Sequence, residues 1–399
     1  MPPTIDLEDL SLTEGGHLLV ARALHGLRPG ETLDVRGHAP ALDLLLGAWC
    51  REHGHAVSRG DASAPSDSPA AVRIIKGDKE EQRWRGAVRA GSAAAPQAHA
   101  DTHWGLAARG ALVEDGGPAL DVAWVDRDMV WADVAPTLYA RAAAAQWDPA
   151  TAVDWVGSGG LPDDIEDAVV QVMTYLVENE QAALMIPARL LGSLHPQFRE
   201  VMQLLAAQVA DEARHVEIFT RRALANRDEM GRSGAGGRAS LQSLLGEPDF
   251  TLASFLLSVM GEGTFVDLLT FLHEHAPDPV TAQVTRLAAR DEARHVAFGT
   301  AHTAHVAHAD PAFLGRLRGA VERRHDALRE TAGLSSDVYD SLVLLAAGSW
   351  EPAAIRGGWN AVQGLQRRMD EGRRRRLAFI GFPDDEAAEL SALHTRNFM

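Results

Sequence analysis

Cysteine is nearly absent from this sequence: Cys50 is the only one in 399 residues. A single thiol cannot build an internal disulfide, a CxxC redox pair, or a Cys-ligated zinc or iron–sulfur site. Tyrosine is scarce as well, limited to Tyr139, Tyr175 and Tyr339. No run of about 18 uncharged apolar residues occurs, so no membrane span is expected. The N-terminus, MPPTIDLEDLSLTEGG, is acidic and lacks the apolar stretch of a signal peptide, so a cytoplasmic location is expected. Positive charge is in deficit: 38 Lys and Arg against 55 Asp and Glu leave a net −17. Such a surface repels phosphate backbones and anionic lipid, so neither nucleic acid nor a membrane is expected as a partner.

What is present is enough apolar residue, 46%, to bury sizeable cores. The length suggests two or three domains. Residues 1–80 mix helical patterns (His17 to Leu27, Pro40 to His53) with short apolar runs (Glu31 to Arg36, Ala71 to Ile75) and a Ser-, Ala- and Pro-rich loop at 61–70, which reads as a small α+β module. Residues 81–160 read as linker and wrapping segment, with Trp104, Trp124, Trp131 and Trp147 among turn signals. From 161 to 399 helical spacing dominates. The fold class expected is mainly α: a four-helix bundle with extra C-terminal helices, preceded by the α+β module. Helices are expected near 163–192, 196–226, 249–275, 278–308, 310–332, 336–372 and 384–396, with the Gly/Ser-rich stretch Gly231 to Ser240 as the connection between two helix pairs.

One pentapeptide occurs twice, as Asp211-Glu-Ala-Arg-His215 and Asp291-Glu-Ala-Arg-His295. In each, Glu-x-x-His sits on an expected helix, and positions i and i+3 share a face. Glu212 with His215, and Glu292 with His295, can each grip a metal from one side. Both glutamates fall on apolar stripes, where a charge costs several kcal/mol unless paired or metal-bound. Glu180 interrupts the stripe Ile165, Val169, Met173, Leu176, Leu184 in the same way, and Glu262 interrupts Leu252, Phe255, Val259, Val266, Leu269. Glu178 lies on the opposite face of its helix and reads as solvated. Four Glu and two His, with no sulfur, suit two iron ions or a manganese–iron pair.

With those residues in view, the sequence over roughly 160–310 resembles the ferritin-like superfamily of carboxylate-bridged di-iron proteins. In style it is similar to the oxygen-activating members: monooxygenase hydroxylase subunits, the ribonucleotide reductase small subunit and the amine N-oxygenases. The resemblance implies that Asp211 orients His295 and Asp291 orients His215, with Arg214 and Arg294 pairing with such carboxylates. It also implies O2 as co-substrate, a small-molecule substrate, and a ferredoxin or reductase as electron donor; a homodimer is a further expectation. Departures narrow it. The reductase's radical tyrosine position holds Phe219, with Gly299 after the second motif, and the extra histidine of the N-oxygenases is replaced by Gln208 or Ala288. The implied function is a di-iron oxidase or oxygenase acting on a small organic substrate; the alternative is a ferritin-like iron-binding or peroxide-scavenging protein without one.

Residues 17–55 resemble the TusA/SirA-like sulfur carriers, but Leu12-Thr-Glu-Gly-Gly16 stands where the carrier cysteine belongs, which implies docking or dimerisation instead of sulfur transfer. Cys50 reads as a buried small hydrophobe. His302, His305 and His308 are expected to face solvent or a helix end, Glu351 to be a satisfied core carboxylate, and Arg373 to Arg376 to be a solvated face. Gly261 and Gly263 flank Glu262 at a cost of about 1 kcal/mol each in a helix, and Pro187 should kink its helix. Together they suggest a largely apolar substrate pocket walled by Leu184, Phe219, Val259, Phe265 and Val266.

Overall fold

The computed structural model describes residues 2–59, 70–329 and 336–394. Most of the loop expected at 61–70 and the C-terminal edges of two expected helices lie outside the described residues. The chain forms two compact units, one comprising residues 1–90 and 110–118 and the other residues 91–109 and 119–399. The stretch 81–160, expected as linker, is therefore divided between them.

The smaller unit is built on strands β1 (Thr4–Asp6), β2 (Thr32–Gly37), β3 (Ala56–Arg59) and β4 (Ala70–Ile75), with helices α1 (Gly16–His25) and α2 (Leu42–His53) between β1 and β3. The sheet order is β1-β2-β4-β3; β1 pairs parallel with β2, Ile5 beside Val35, and the other pairings are antiparallel, Val35 beside Val72 and Val57 beside Ile74. Strands β1 and β3 escaped the sequence reading because three or four residues carry too little alternation. Val20, Leu24, Leu46 and Cys50 on the helices cover Leu33, Val35 and Ile74 on the sheet. Gly54 ends α2 at φ 76°, as a C-terminal glycine should. A short helix α3 (Lys79–Arg83) and the hairpin of β5 (Val88–Arg89) with β6 (Leu112–Val113) complete this unit.

The larger unit is helical: α4 (Ala135–Ala144), α5 (Asp163–Gly192), α6 (Arg199–Ala223), α7 (Ala235–Leu245), α8 (Phe250–Ser254), α9 (Gly263–Glu274), α10 (Pro279–Ala309), α11 (Phe313–Leu328), α12 (Ser336–Ala347), α13 (Pro352–Ile380) and α14 (Asp384–His394). Two helix pairs, α5 with α6 and α8–α9 with α10, pack through α6 and α10 into a four-helix bundle. α5 opens with Asp163, Asp164 and Glu166 at its positive end and runs unbroken through Pro187. Asp278 caps α10 by accepting the Thr281 N–H at 2.9 Å, with Pro279 in the first turn.

Several expectations need correction. The helix expected over 249–275 is not uniformly α: Phe255–Glu262 is π-helical, linking α8 to α9. It is also buried all round from Phe250 to Phe265, not along one stripe, because α11 and α13 cover its outer side. Its hydropathy and length would suit a membrane span, yet 83% of that window is buried within the protein. The second half of the Gly/Ser connection, from Ala235, folds into α7. The helix expected at 336–372 breaks at Gly348, φ 67°, and restarts at Pro352, which leaves Glu351 exposed at the N-cap. His302 is fully buried, bonded to Thr251 Oγ1 (3.0 Å) and the Trp131 carbonyl (2.9 Å), and burial pushes its imidazole down to about 4. Arg373 is buried and Arg376 half-buried, so only Arg374 and Arg375 of the arginine run form a solvated face.

At one end of the bundle Arg222, fully buried, donates to Glu166 (2.6 Å), Asp278 (2.8 Å) and Thr281 Oγ1 (2.8 Å), tying α5, α6 and α10 together. Arg222→Ala leaves both carboxylates buried and unpaired, so a loss of about 3–5 kcal/mol is expected, read as a lower midpoint in urea denaturation; a change under about 1 kcal/mol would contradict the reading.

Candidate metal centre

Four helical segments each deliver a glutamate to one buried point. Glu180 comes from α5, Glu212 and His215 from α6, Glu262 from the last turn of the π-helical segment, and Glu292 and His295 from α10; all are 4% exposed or less. Their donor atoms fall into two overlapping groups, Glu180–Glu212–His215–Glu292 and Glu212–Glu262–Glu292–His295, with the atoms of each group within 4.8 Å of one another. Glu212 and Glu292 belong to both groups. The arrangement is pseudo-symmetric: each donor group has its own Glu and His, and two carboxylates are shared.

The two imidazoles present the same edge inward. His215 Nδ1 lies 3.2 Å from Glu212, 3.3 Å from Glu292 and 3.4 Å from Glu180; His295 Nδ1 lies 2.9 Å from Glu212 and 3.3 Å from Glu292. Their Nε2 atoms face outward to aspartates of the opposite motif, His295 to Asp211 at 3.2 Å and His215 to Asp291 at 3.5 Å. A ligating histidine needs such an acceptor to fix its tautomer and ring plane. Arg294 Nη2 donates to both aspartates, Asp211 at 3.0 Å and Asp291 at 2.7 Å, and Arg214 bonds Asp211 and lies 3.6 Å from Asp291.

The electrostatics follow from burial. Desolvation, with Glu212 and Glu292 close by, raises the Glu180 carboxyl well above the usual range despite His215; desolvation with Glu292 and Glu212 does the same to Glu262 despite His295. For Glu212, desolvation is outweighed by His295 and by hydrogen bonds from both histidines, so it stays below the usual range. Desolvation opposes charge on His215 and His295, yet the surrounding carboxylates raise both well above the ordinary imidazole. Oxygen atoms Glu180 Oε1 and Glu262 Oε2 are buried without a hydrogen bond. The guanidiniums of Arg214 and Arg294, with Arg290 at 3.9 Å from Asp291, face Asp211 and Asp291, which leaves the four glutamates as an excess of negative charge when they are ionised beside neutral histidines. Two divalent cations cancel that excess, and oxygen and imidazole donors suit iron or manganese, so the residues fit a di-metal group.

Two contacts lay outside the sequence reading. Trp147 Nε1 donates to Asp291 Oδ2 at 2.7 Å, and its ring stacks beside His215 at 6.5 Å between centroids. Gln146 accepts from Arg214 Nη1 at 2.5 Å. Both follow α4, in a stretch without periodicity, and the tryptophan count was the only signal. Gln208 Nε2 donates to Glu262 Oε1 at 2.9 Å.

The expected substrate pocket is not formed as drawn. A cavity of about 10 Å³, lined by Asn179, Glu180, Ala183, Leu257, Glu262, Phe265 and Glu292, adjoins the centre; that is room for about one water. Of the five expected wall residues only Phe265 lines it. Phe219 packs beside His215 instead, with ring centroids 6.4 Å apart. The Val259 carbonyl bonds Arg376 of α13, and Leu184 and Val266 are half-buried elsewhere. A Cβ on Gly263 would lie 2.4 Å from Arg376 Cζ, so that glycine makes room for the arginine.

No family model matches this sequence, and no curated protein matches it. Solved structures do. An R2-like ligand-binding oxidase, as a single-residue mutant with an aerobically reconstituted Mn/Fe cofactor, aligns at TM-score 0.42 and 18% identity over 65% of this chain and 91% of that one. An R2-like ligand-binding oxidase after photoconversion aligns at 0.41 and 17%, covering 65% and 90%. One from Sulfolobus acidocaldarius aligns at 0.41 and 17%, covering 60% and 91%. Likeness of this order does not define a function; the donor set does the arguing.

Two measurements test the centre. Glu180→Ala should lower bound metal from two ions toward one, whereas Glu178→Ala, on the half-buried face of the same helix, should leave stoichiometry unchanged; elemental analysis after loading decides, and the reverse pattern would sink the assignment. Without metal, Glu180, Glu262, His215 and His295 all hold protons above their ordinary range. Metal must displace those protons, so affinity should rise with pH and fall on acidification. Calorimetry in buffers of different ionisation enthalpy should register net proton release; a pH-independent affinity would contradict the assignment.

Proposed function

We propose that this protein is a non-haem di-metal oxidase or oxygenase, holding two iron ions or a manganese–iron pair and using O2 to oxidise a small organic substrate. The observation that carries this is the sharing of Glu212 and Glu292 between two donor groups. Storage of single ions does not require shared carboxylates; a pair of ions that acts together does. When bound, such a pair supplies the electrons that reduce O2.

The chain's own residues would do the rest. Glu180 and Glu262 hold one position each, and Gln208 restrains Glu262 by its hydrogen bond. His215 and His295 present Nδ1 to the metals while Asp291 and Asp211 hold the outer edges of the rings. Ala183, Leu257 and Phe265 keep bulk water from the small cavity. A ferredoxin or reductase would return the electrons spent. The smaller unit would serve assembly, since Cys50 is buried in that unit's own core and burial pushes its thiol up to about 11.

The small cavity favours one second reading, an iron-binding or peroxide-scavenging protein with no organic substrate. The two readings separate in a single experiment. Protein loaded anaerobically with two equivalents of Fe(II) is mixed with O2 in a stopped-flow spectrometer, with and without a library of small organic acids and amines. The oxidase reading expects O2 uptake stoichiometric with the metal pair and oxidised product. Uptake that scales with excess Fe(II) and ends in bulk ferric oxide, with no product, would select the second reading.

A further inference from the structure

The π-helical segment that carries Glu262 is gripped from two sides, and each grip needs a glycine. On one side α10 closes on it at Gly299, where a Cβ would lie 2.4 Å from Ser258 Cβ and 3.4 Å from the Ser254 carbonyl oxygen. On the other side α13, which lies outside the four-helix bundle, sends in Arg376. Its Nε donates to the Val259 carbonyl at 2.9 Å, three residues before Glu262 and inside the segment. Its guanidinium fills the space that a side chain on Gly263, the residue after Glu262, would take. Burial lowers this guanidinium to about 10, and its Nη2 is buried without a hydrogen-bond partner. An arginine with only a surface role would avoid those costs by swinging outward.

The segment needs such a hold. A π turn is less regular than an α turn, and the Gly263 N–H reaches back to the Ser258 carbonyl five residues earlier. Relaxing to α-helix would shift the register by one residue, about 100° of rotation. That would swing Glu262 off the metal position it shares with His295. Glu180 and His215 lie on other helices and would not feel the shift.

We propose that Arg376 is a positioning residue for Glu262: by pinning the π-helical segment from outside the bundle, it sets the Glu262–His295 metal position and leaves the Glu180–His215 position alone. The proposal rests on the six-residue ligand assignment.

The test is a titration of metal-free protein with Mn(II), followed by calorimetry and electron paramagnetic resonance. Wild type should take up two ions. Arg376→Ala should weaken one ion by about 10–100-fold and leave the other unchanged. Arg376→Lys should recover part of the loss, since an ammonium can still reach a carbonyl. Gly263→Ala, which displaces the guanidinium by another route, should reproduce the selective loss. Arg374→Ala, an exposed arginine on the same helix, should behave as wild type. Equal weakening of both ions, or no weakening in either Arg376→Ala or Gly263→Ala, would overturn the proposal. Failure of the wild type to take up two ions would instead refute the ligand assignment, and the proposal with it.

Discussion

The bundle is organised around one electrostatic demand: six carboxylates and two imidazoles are buried together, and their charge must be balanced inside the protein. The guanidiniums of Arg214 and Arg294 meet part of it, bonding Asp211 and Asp291 on the outer rim. Burial raises the carboxyls of Glu180 and Glu262 well above the usual range, and in the proposed di-metal state two divalent cations would balance the four glutamates. No hydrophobic replacement could be so strictly oriented, and the cost of these groups in an apolar core is the physical signature of their task.

That demand extends outward in layers. The histidines are steered by aspartates, the aspartates by arginines and by Trp147, and Arg214 by Gln146. Glu262 is steered by Gln208 from within the bundle and, on the inference above, by Arg376 through the backbone. Elements that look peripheral, the stretch after α4 and the late helix α13, therefore complete the centre. Arg222 holds one end of the bundle by a separate buried ion cluster, which keeps α5, α6 and α10 in register without touching the metal ligands.

The cavity next to the centre is walled by Phe265, Leu257 and Ala183 and is closed down to the size of about one water. A diatomic gas and an organic substrate make very different demands on such a space. The π-helical segment forms part of this wall through Leu257 and Glu262, and π-helical turns are strained elements that often sit at functional sites. The wall that would have to give way for a larger molecule is thus the same segment that carries a ligand.

Repetition and periodicity made the centre legible in the sequence. The doubled Asp-Glu-Ala-Arg-His names four of the six clustered side chains and the two aspartates behind them, and a lone glutamate in each of two apolar stripes names Glu180 and Glu262, because a buried charge stands out against a hydrophobic period of 3.6. Helix α5 and helix α10 were legible for the same reason. What escaped has a common cause: it depends on residues distant in sequence. Nothing local says that α11 and α13 cover the outer face of Phe255–Glu262, so Arg373 and Arg376 read as solvated and Gly263 as open space. Nothing local distinguishes a π turn from an α turn, or tells His302 that Trp131 and Thr251 will meet it in the core. Trp147 comes from a stretch without period and finds Asp291 only through the packing of α4 on α6 and α10. The sequence by itself determined which groups are too costly to bury alone; only the tertiary structure decided what lies against them, because burial is a property of neighbours and not of spacing.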